Sequence, residues 1–494
     1  MNTESPRQNA QHVDVLIVGA GISGIGAAYH LTRQAAERTF VILEAKESFG
    51  GTWLTHSYPG IRSDSDLYTF GYRFKPWTSA PIARGEAIRR YIGEVIDEAG
   101  LAPHIRYGYR IECASWSSTQ KVWTVEARRG DSGDLVRFTA GFLWMCQGYY
   151  RHEEGYTPEW RGTKEYRGRI VHPQTWPEDL DLTGKLVVVI GSGATAATLI
   201  PNIADQCAHV TMLQRSPTYF AYAANANELA DRLRVLDIDE SWIHEIVRRQ
   251  ILHDEAQFTR RTFEEPEAVR KELLSAASAI LGSETTDKHF NPSYRPWRQR
   301  LAFLPDADLF HSIRAGKASV ETDEIERFTD SGILLKSGKT LAADIVITAT
   351  GFNLCVMGDI RFVVDGKPLD FAETVTYRGM MFTGVPNLAY VFGYLRSSWT
   401  LRLDLVADVV CRLLNHMKAR GAAQVEVALR PQDTALPKLP WIDPENFNPG
   451  YLMRSVHLLP KRLATAEWQH SQDYLSDQKA FPAIDLDAPE FVYH

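Results

Sequence analysis

One arrangement occurs twice in this chain and restricts its fold more than any other feature. Val13 to Val18 (Val-Asp-Val-Leu-Ile-Val) is a short apolar run followed at once by Gly19-Ala-Gly-Ile-Ser-Gly24. Small and apolar residues then recur on a helical period from Ile25 to Leu31, and a second apolar run from Phe40 to Leu43 ends in Glu44. A run of this kind suits a parallel strand buried on both faces, and strand, G-x-G-x-x-G, helix, strand and acid make up the dinucleotide fingerprint. Gly19 permits the tight turn, Gly21 admits a pyrophosphate, Gly24 lets helix and strand pack closely, and Glu44 can hold a ribose hydroxyl. Lys185 to Ile190, Gly191-Ser-Gly-Ala-Thr-Ala196 and a strand from His209 to Leu213 repeat the pattern. The expected fold is α/β, with two Rossmann-like dinucleotide-binding domains.

The two units differ where their second strands end. Glu44 in the first is matched in the second by Gln214, with Arg215 and Ser216 just after it. An acid repels a 2′-phosphate, whereas a guanidinium and a hydroxyl bind one. The first unit is therefore expected to take FAD. The second is expected to take NADPH, held by Gly191, Gly193, Ala194, Thr195 and Ala196 together with Arg215 and Ser216. Two further strands end in glycine, Phe142 to Cys146 before Gln147-Gly148 and Ala343 to Thr348 before Ala349-Thr350-Gly351, and the Thr350-Gly351 pair is expected to border the nucleotide.

Between the units, Gly50 to Asp64 places two adjacent glycines, a Trp, a Tyr-Pro-Gly turn and an acid within a short stretch. Glycine lets backbone approach a ligand closely, Pro-Gly forces a turn, and aromatic rings offer flat faces to a flat cofactor. Gly51, Thr52, Trp53 and Asp64, with the aromatic Phe70 beyond them, are read as a flavin-covering segment.

A chain of 494 residues is long for one core, so several domains are expected. Residues 1–150 are assigned to the first part of the FAD domain and 151–220 to the first part of the NADPH domain. A helical insertion is expected over 221–299, where charge and Ala, Leu, Glu and Arg abound; 300–380 return to the NADPH domain and 381–494 to the FAD domain. A short helix is expected from Leu304 to Ile313, and the Pro- and aromatic-rich last seventy residues read as a packed wrap. The net charge of -7 gives no footprint for nucleic acid. The segment before Val13 is polar and no window is apolar enough to span a membrane, so a cytoplasmic protein is expected. Five scattered cysteines have neither redox nor zinc spacing, which argues for a reducing compartment and against both a dithiol oxidoreductase and a metal site. With FAD and NADPH in one chain and no dithiol, dioxygen is the remaining electron acceptor.

At this point the sequence resembles a known family. Gly51-x-Trp53-x-x-x-x-Tyr58-Pro59-Gly60-x-x-x-Asp64 resembles one signature of the type I Baeyer-Villiger monooxygenases. Tyr166-x-Gly168-x-x-x-His172-x-x-x-Trp176-Pro177 resembles the other, with Tyr166 where the family usually has Phe. The run from Tyr58 to Trp77 and Tyr294-Arg-Pro-Trp-Arg-Gln-Arg300 are similar to the ethionamide-activating branch of that family. The resemblance implies that NADPH reduces FAD, dioxygen adds to give a C4a-peroxyflavin, and this attacks a ketone carbonyl to yield an ester or lactone, with sulfoxidation as a side activity. It also implies an active-site arginine oriented by an aspartate. Asp64 falls on the signature's terminal acid; Arg300 is the arginine chosen, with Arg298 the competitor two residues away. Gln299 stands where many relatives have a lysine for the 2′-phosphate, which leaves that group to Arg215 and Ser216 and implies a weaker NADPH preference. His172 is read as a hinge residue, and Trp399 either lines the pocket or anchors the following helix. The competing functions are a flavin-containing N- or S-monooxygenase and a non-catalytic FAD and NADPH sensor.

Overall fold

The computed structural model describes residues 11–494; the polar stretch 1–10 lies outside the described residues. From Val15 onward strand Gln11–Val18 alternates its side chains between two cores: Val15 and Ile17 face one, Leu16 and Val18 the other. Both faces are therefore dry, and this is why the sequence reads as a continuous apolar run rather than an alternating one. It pairs in parallel with Phe40–Leu43 on one side and with the far half of Asp134–Met145 on the other. These strands belong to a nine-stranded sheet whose other half is antiparallel: Tyr109–Ser117, Val122–Arg129 and the near half of Asp134–Met145 form a three-stranded ribbon. Helix Ile22–Gln34 lies on this sheet beside Thr400–Arg420, whose buried face (Leu401, Leu405, Val409 among others) repeats on the helical period.

The second sheet has five parallel strands, in the order Ala318–Thr322, His209–Gln214, Leu186–Ile190, Ile345–Thr348 and Arg169–Val171. Helix Ala194–Ile203 follows its central strand. In both sheets the strand that ends in the glycine loop has its neighbours on opposite sides come from different parts of the chain, and the crevice at such a switch point is where doubly wound sheets bind ligands. Four helices, Glu228–Val235, Glu240–Glu264, Pro266–Leu281 and Ser283–His289, fill the anticipated insertion. It is anchored on the first domain by Arg248, whose Nη1 donates to the carbonyls of Tyr68, Thr69 and Gly71.

The structure departs from the sequence reading in two places. The stretch expected as one helix from Leu304 is a strand, Ala302–Pro305, then a helix, Asp308–Arg314. Asp306 and Ala307 take positive φ (54° and 52°), which a helix cannot continue through, and Ala302–Pro305 gains a parallel partner in Phe220–Ala223. Arg361–Val364 and Lys367–Pro368 fall within 300–380, yet they extend the first sheet by pairing beside Tyr109–Ser117. The terminal wrap is well packed: Trp441, Phe447, Leu463 and Trp468 are buried. Among the described residues no helix is long and apolar enough to cross a membrane.

Candidate functional site

A single cavity of about 920 Å³ runs between the two glycine loops. Its geometry follows from close backbone approaches that side chains would prevent. A Cβ on Gly24 would sit 1.8 Å from the Gly19 carbonyl oxygen, so only glycine lets the helix seat against the turn. Gly50 N–H donates to the Ala20 carbonyl at 3.1 Å, bringing the Gly50–Asp64 segment against the first loop, where Gly21 and Gly51 lie back to back. A Cβ on Gly60 would meet Asn202 at 2.2 Å, and Arg62 pairs with Asp308 at 2.5 Å; through these contacts the same segment touches the second unit. It also contains a short helix, Thr52–Thr55, and a second, Leu67–Phe70, follows it.

Gly19, Gly21, Glu44, Gly51, Thr52, Trp53, Asp64 and Phe70 line the cavity from the first unit. Gly24 stays behind the loop in a packing role. Glu44 has a second role: one carboxylate oxygen accepts the Ala20 N–H at 2.7 Å and the other the Lys46 N–H at 2.9 Å, bracing the glycine turn. Burial raises its pKa against the lowering effect of those bonds. From the second unit, Gly191, Gly193, Ala194, Thr195, Arg215, Thr350 and Gly351 line the cavity; Ala196 is buried in the core beneath, and Ser216 is exposed outside the lining. A Cβ on Gly193 would meet nothing within 4 Å, which leaves a bare backbone edge at the N-terminus of helix Ala194–Ile203. Such an edge suits a phosphate.

Asp64 and Arg300, 236 positions apart, meet where the two crevices join. Arg300 Nε and Nη2 both donate to Asp64 Oδ2, at 2.8 and 2.6 Å, and Nη1 donates to the Leu395 carbonyl at 3.1 Å. Three of its five N–H donors are thus spent, and the other two remain for the cavity. Burial alone would weaken the guanidinium's hold on its proton; the Asp64 carboxylate beside it reverses this, and the net shift is upward. Arg298 points elsewhere, pairing with Glu445 at 3.1 Å. Gln299 lines the cavity between them.

Several lining residues were not foreseen from the sequence. Tyr149, Tyr150 and Tyr451 gather beside Arg300, with Tyr149 donating to Tyr150 at 2.9 Å, and burial above all keeps their hydroxyls protonated. Only the Tyr-Tyr pair after the Gln147-Gly148 strand end offered a local signal. Trp399 does both things considered for it: it stacks on Tyr149 (5.0 Å, 9°) at the cavity wall and begins helix Thr400–Arg420, with Nε1 donating to Ser23 at 2.9 Å. Both polar side-chain atoms of Gln147, and Nδ1 of His56 and of His152, are buried on the cavity wall with no partner among the described residues. Buried polar atoms are almost always bonded, so these expect a polar ligand. Burial, first, and neighbouring His152 hold the His56 ring neutral by lowering its pKa to about 3. His172 lies off the cavity; its Nε2 contacts the Gly351 carbonyl at 3.2 Å and its Nδ1 accepts the Gln174 N–H, fixing the strand end that carries Thr350 and Gly351. Tyr166 donates to the Ala343 carbonyl at 3.0 Å, a structural contact.

A family model described as an NAD(P)-binding Rossmann-like domain matches residues 17–79. FAD-containing monooxygenase EthA of Mycolicibacterium smegmatis is 45% identical over 491 residues, covering 98% of each chain. Probable FAD-binding monooxygenase AlmA of an Acinetobacter species is 43% identical over 475 residues, 95% of this chain and 94% of that one. Among solved structures, an oxidized steroid monooxygenase bound to NADP superposes with a TM-score of 0.76 at 22% identity, covering 98% of this chain and 99% of that one. OTEMO in complex with FAD and NADP superposes with a TM-score of 0.77 at 18% identity, covering 98% and 100%. At such identities the structures establish a common fold.

Proposed function

Because the chain belongs to the FAD-containing monooxygenases, we propose that it is a type I Baeyer-Villiger monooxygenase of the ethionamide-activating branch, using NADPH and dioxygen to convert ketones to esters or lactones. The observation that carries this reading is the Asp64–Arg300 pair at the junction of the two nucleotide crevices. In the first crevice FAD would be held by Gly19, Gly21, Glu44, Gly51, Thr52, Trp53 and Asp64, with Phe70 behind; in the second NADPH would be held by Gly191, Gly193, Ala194, Thr195, Arg215, Thr350 and Gly351. The bare Gly193 edge and the unpartnered Gln147 amide fit such ligands.

When bound, FAD reduced by NADPH supplies the electrons and activates dioxygen. The protein supplies orientation and charge. Asp64 fixes the plane of the Arg300 guanidinium and leaves two N–H donors where negative charge develops during oxygen transfer. Preset donors of this kind act without reorganising at the moment of reaction, and in an enclosed site they act more strongly than in water. The neutral hydroxyls of Tyr149, Tyr150 and Tyr451 form a relay in which Tyr149 donates to Tyr150, so the cluster carries no negative charge of its own beside Arg300. The stacked Tyr149 and Trp399 rings give the pocket an apolar wall suited to a ketone's carbon skeleton. All five cysteines are free, in keeping with the cytoplasm as the working compartment.

The test is product analysis on a panel of linear, cyclic and aryl ketones, with a sulfide and an amine alongside. Esters or lactones formed in step with NADPH and dioxygen consumption are expected. Ketones returned unchanged while the amine or sulfide is oxygenated efficiently would assign the enzyme to N- or S-oxygenation instead.

A further inference from the structure

We infer that Arg454, entering the cavity from the C-terminal wrap, joins Arg215 in holding a phosphate group of the bound dinucleotide. The inference rests on reading the second crevice as the NADPH site.

Arg215 stands at the end of strand His209–Gln214, and Arg454 caps the short helix Gly450–Met453 more than two hundred positions later. Both line the one cavity, together with Ser192, Gly193 and Thr218. Arg454 is held in place by uncharged groups. Its guanidinium lies 3.5 Å from the centre of the Tyr156 ring, and Nη2 donates to the Phe352 carbonyl at 3.2 Å, next to Gly351. Its segment is pinned from below by the Asn448 N–H, which donates to the Arg298 carbonyl at 2.8 Å. Among the described residues neither Arg454 nor Arg215 has a carboxylate partner in an ion pair, whereas nearby Arg298 and Arg300 are each paired with an acid.

Two guanidiniums that face one space without an acid repel each other, and an anion between them turns this repulsion into attraction. Partial burial holds the Arg454 pKa below its ordinary value; Tyr156 opposes this and the like charge of Arg215 adds to it. The anion's nature follows from the surroundings. The bare Gly193 backbone and the N-terminus of the ten-residue helix Ala194–Ile203 present the same sign of charge to the same space. Most of the five N–H donors of Arg454 are unspent, and a planar fork matches phosphate oxygens two at a time. The pair also answers the absence of a charge at Gln299, which lines the cavity as a neutral amide. A second guanidinium from the wrap supplies the charge that the local sequence lacks.

The test is titration calorimetry of the FAD-loaded enzyme with adenosine, adenosine 2′-monophosphate and adenosine 5′-diphosphate, for the wild type and for Arg215→Gln, Arg454→Gln and Arg454→Lys. Flavin content and unchanged adenosine affinity verify that each variant is folded. Arg454→Gln is expected to weaken at least one of the phosphate ligands about tenfold or more, with Arg454→Lys between it and the wild type. Loss confined to the 2′-monophosphate places Arg454 at the ribose phosphate, and loss confined to the diphosphate places it at the pyrophosphate. If Arg454→Gln binds both phosphate ligands as the wild type does while Arg215→Gln does not, the inference is overturned and the NADPH reading stands. If the wild type prefers neither phosphate ligand to adenosine, the NADPH reading itself falls, and the inference with it.

Discussion

Replacing Asp64 separates geometry from charge at the centre of the site. Both bonds from Arg300 converge on a single oxygen, Oδ2. In Asp64→Asn the amide oxygen can occupy that position and accept both, so the fork keeps its direction and loses only the negative charge. In Asp64→Ala nothing holds Nε or Nη2, and the guanidinium retains only the Leu395 carbonyl. Hydrogen bonds to charged groups contribute about 1.5–3 kcal/mol each, and the pair's partial exposure to the cavity (34% and 26%) argues for the lower end. Two such bonds amount to about 3 kcal/mol of positioning, or roughly a hundredfold in the oxygenation step, since about 1.4 kcal/mol is a factor of ten. A neutral acceptor is about half as strong as a charged one, so Asp64→Asn should lose about tenfold. Stopped-flow reduction by NADPH and chromatographic yield of ester measure the two halves of the reaction apart. Reduction should change by no more than about threefold in either variant once flavin content is matched, because Asp64 is one of many residues lining the FAD crevice but the one that orients Arg300 for oxygen transfer. An Asp64→Ala enzyme that forms ester at near wild-type rate, or one that loses reduction and oxygenation in parallel, would refute the reasoning.

Other perturbations follow from the same geometry. Arg300→Ala should leave flavin reduction intact and abolish ester formation, whereas Arg298→Ala, which breaks only an exposed pair with Glu445, should cost less than about 1 kcal/mol of stability and keep activity; ester formation surviving in the first variant would undo the assignment. Gly24→Ala drives a methyl into the Gly19 carbonyl and should cost about 3 kcal/mol or more in urea unfolding with loss of bound FAD, while Gly193→Ala should unfold like the wild type yet bind NADPH more weakly; equal stability in both would contradict the packing argument. Burial pushes the Glu255 carboxyl up to about 7, against the Ser397 hydroxyl that donates to it at 3.2 Å. A carboxyl raised on folding contributes its stability fully below its unfolded pKa and loses it as pH rises through the folded one. Glu255→Gln should therefore gain on the wild type by about 1–3 kcal/mol between pH 5 and pH 8, and an equal difference at both pH values would be the contrary result.

The two nucleotide units were legible in the sequence because each is a local device: an apolar run buried on both faces, a turn that only glycine makes, and a charge at the next strand end. Asp64 with Arg300 was legible for a different reason. Nothing local links residues 236 positions apart, and the pairing came through the resemblance of the Gly51–Asp64 signature. The parts that escaped lie where contacts are long-range and aperiodic. Tyr149, Tyr150, Tyr451 and Arg454 reach the cavity from segments with no shared pattern, and Arg361–Pro368 extends the first sheet after the chain has already built the second. Asp306 and Ala307 break an expected helix through backbone conformations that their residue types do not announce. Glu44 illustrates partial legibility: its position was readable, but its brace on the glycine turn through Ala20 and Lys46 depends on how the chain folds back on itself.

The central claim, oxygen insertion beside a ketone carbonyl governed by Arg300 and Asp64, is tested most directly by turnover of one cyclic ketone under isotopically labelled dioxygen, with mass analysis of the product. The account predicts a lactone carrying one labelled oxygen in the ring, formed by the wild type and absent with Arg300→Ala although NADPH still reduces the flavin. Unchanged ketone with labelled amine or sulfide oxide, or unlabelled lactone, would contradict it.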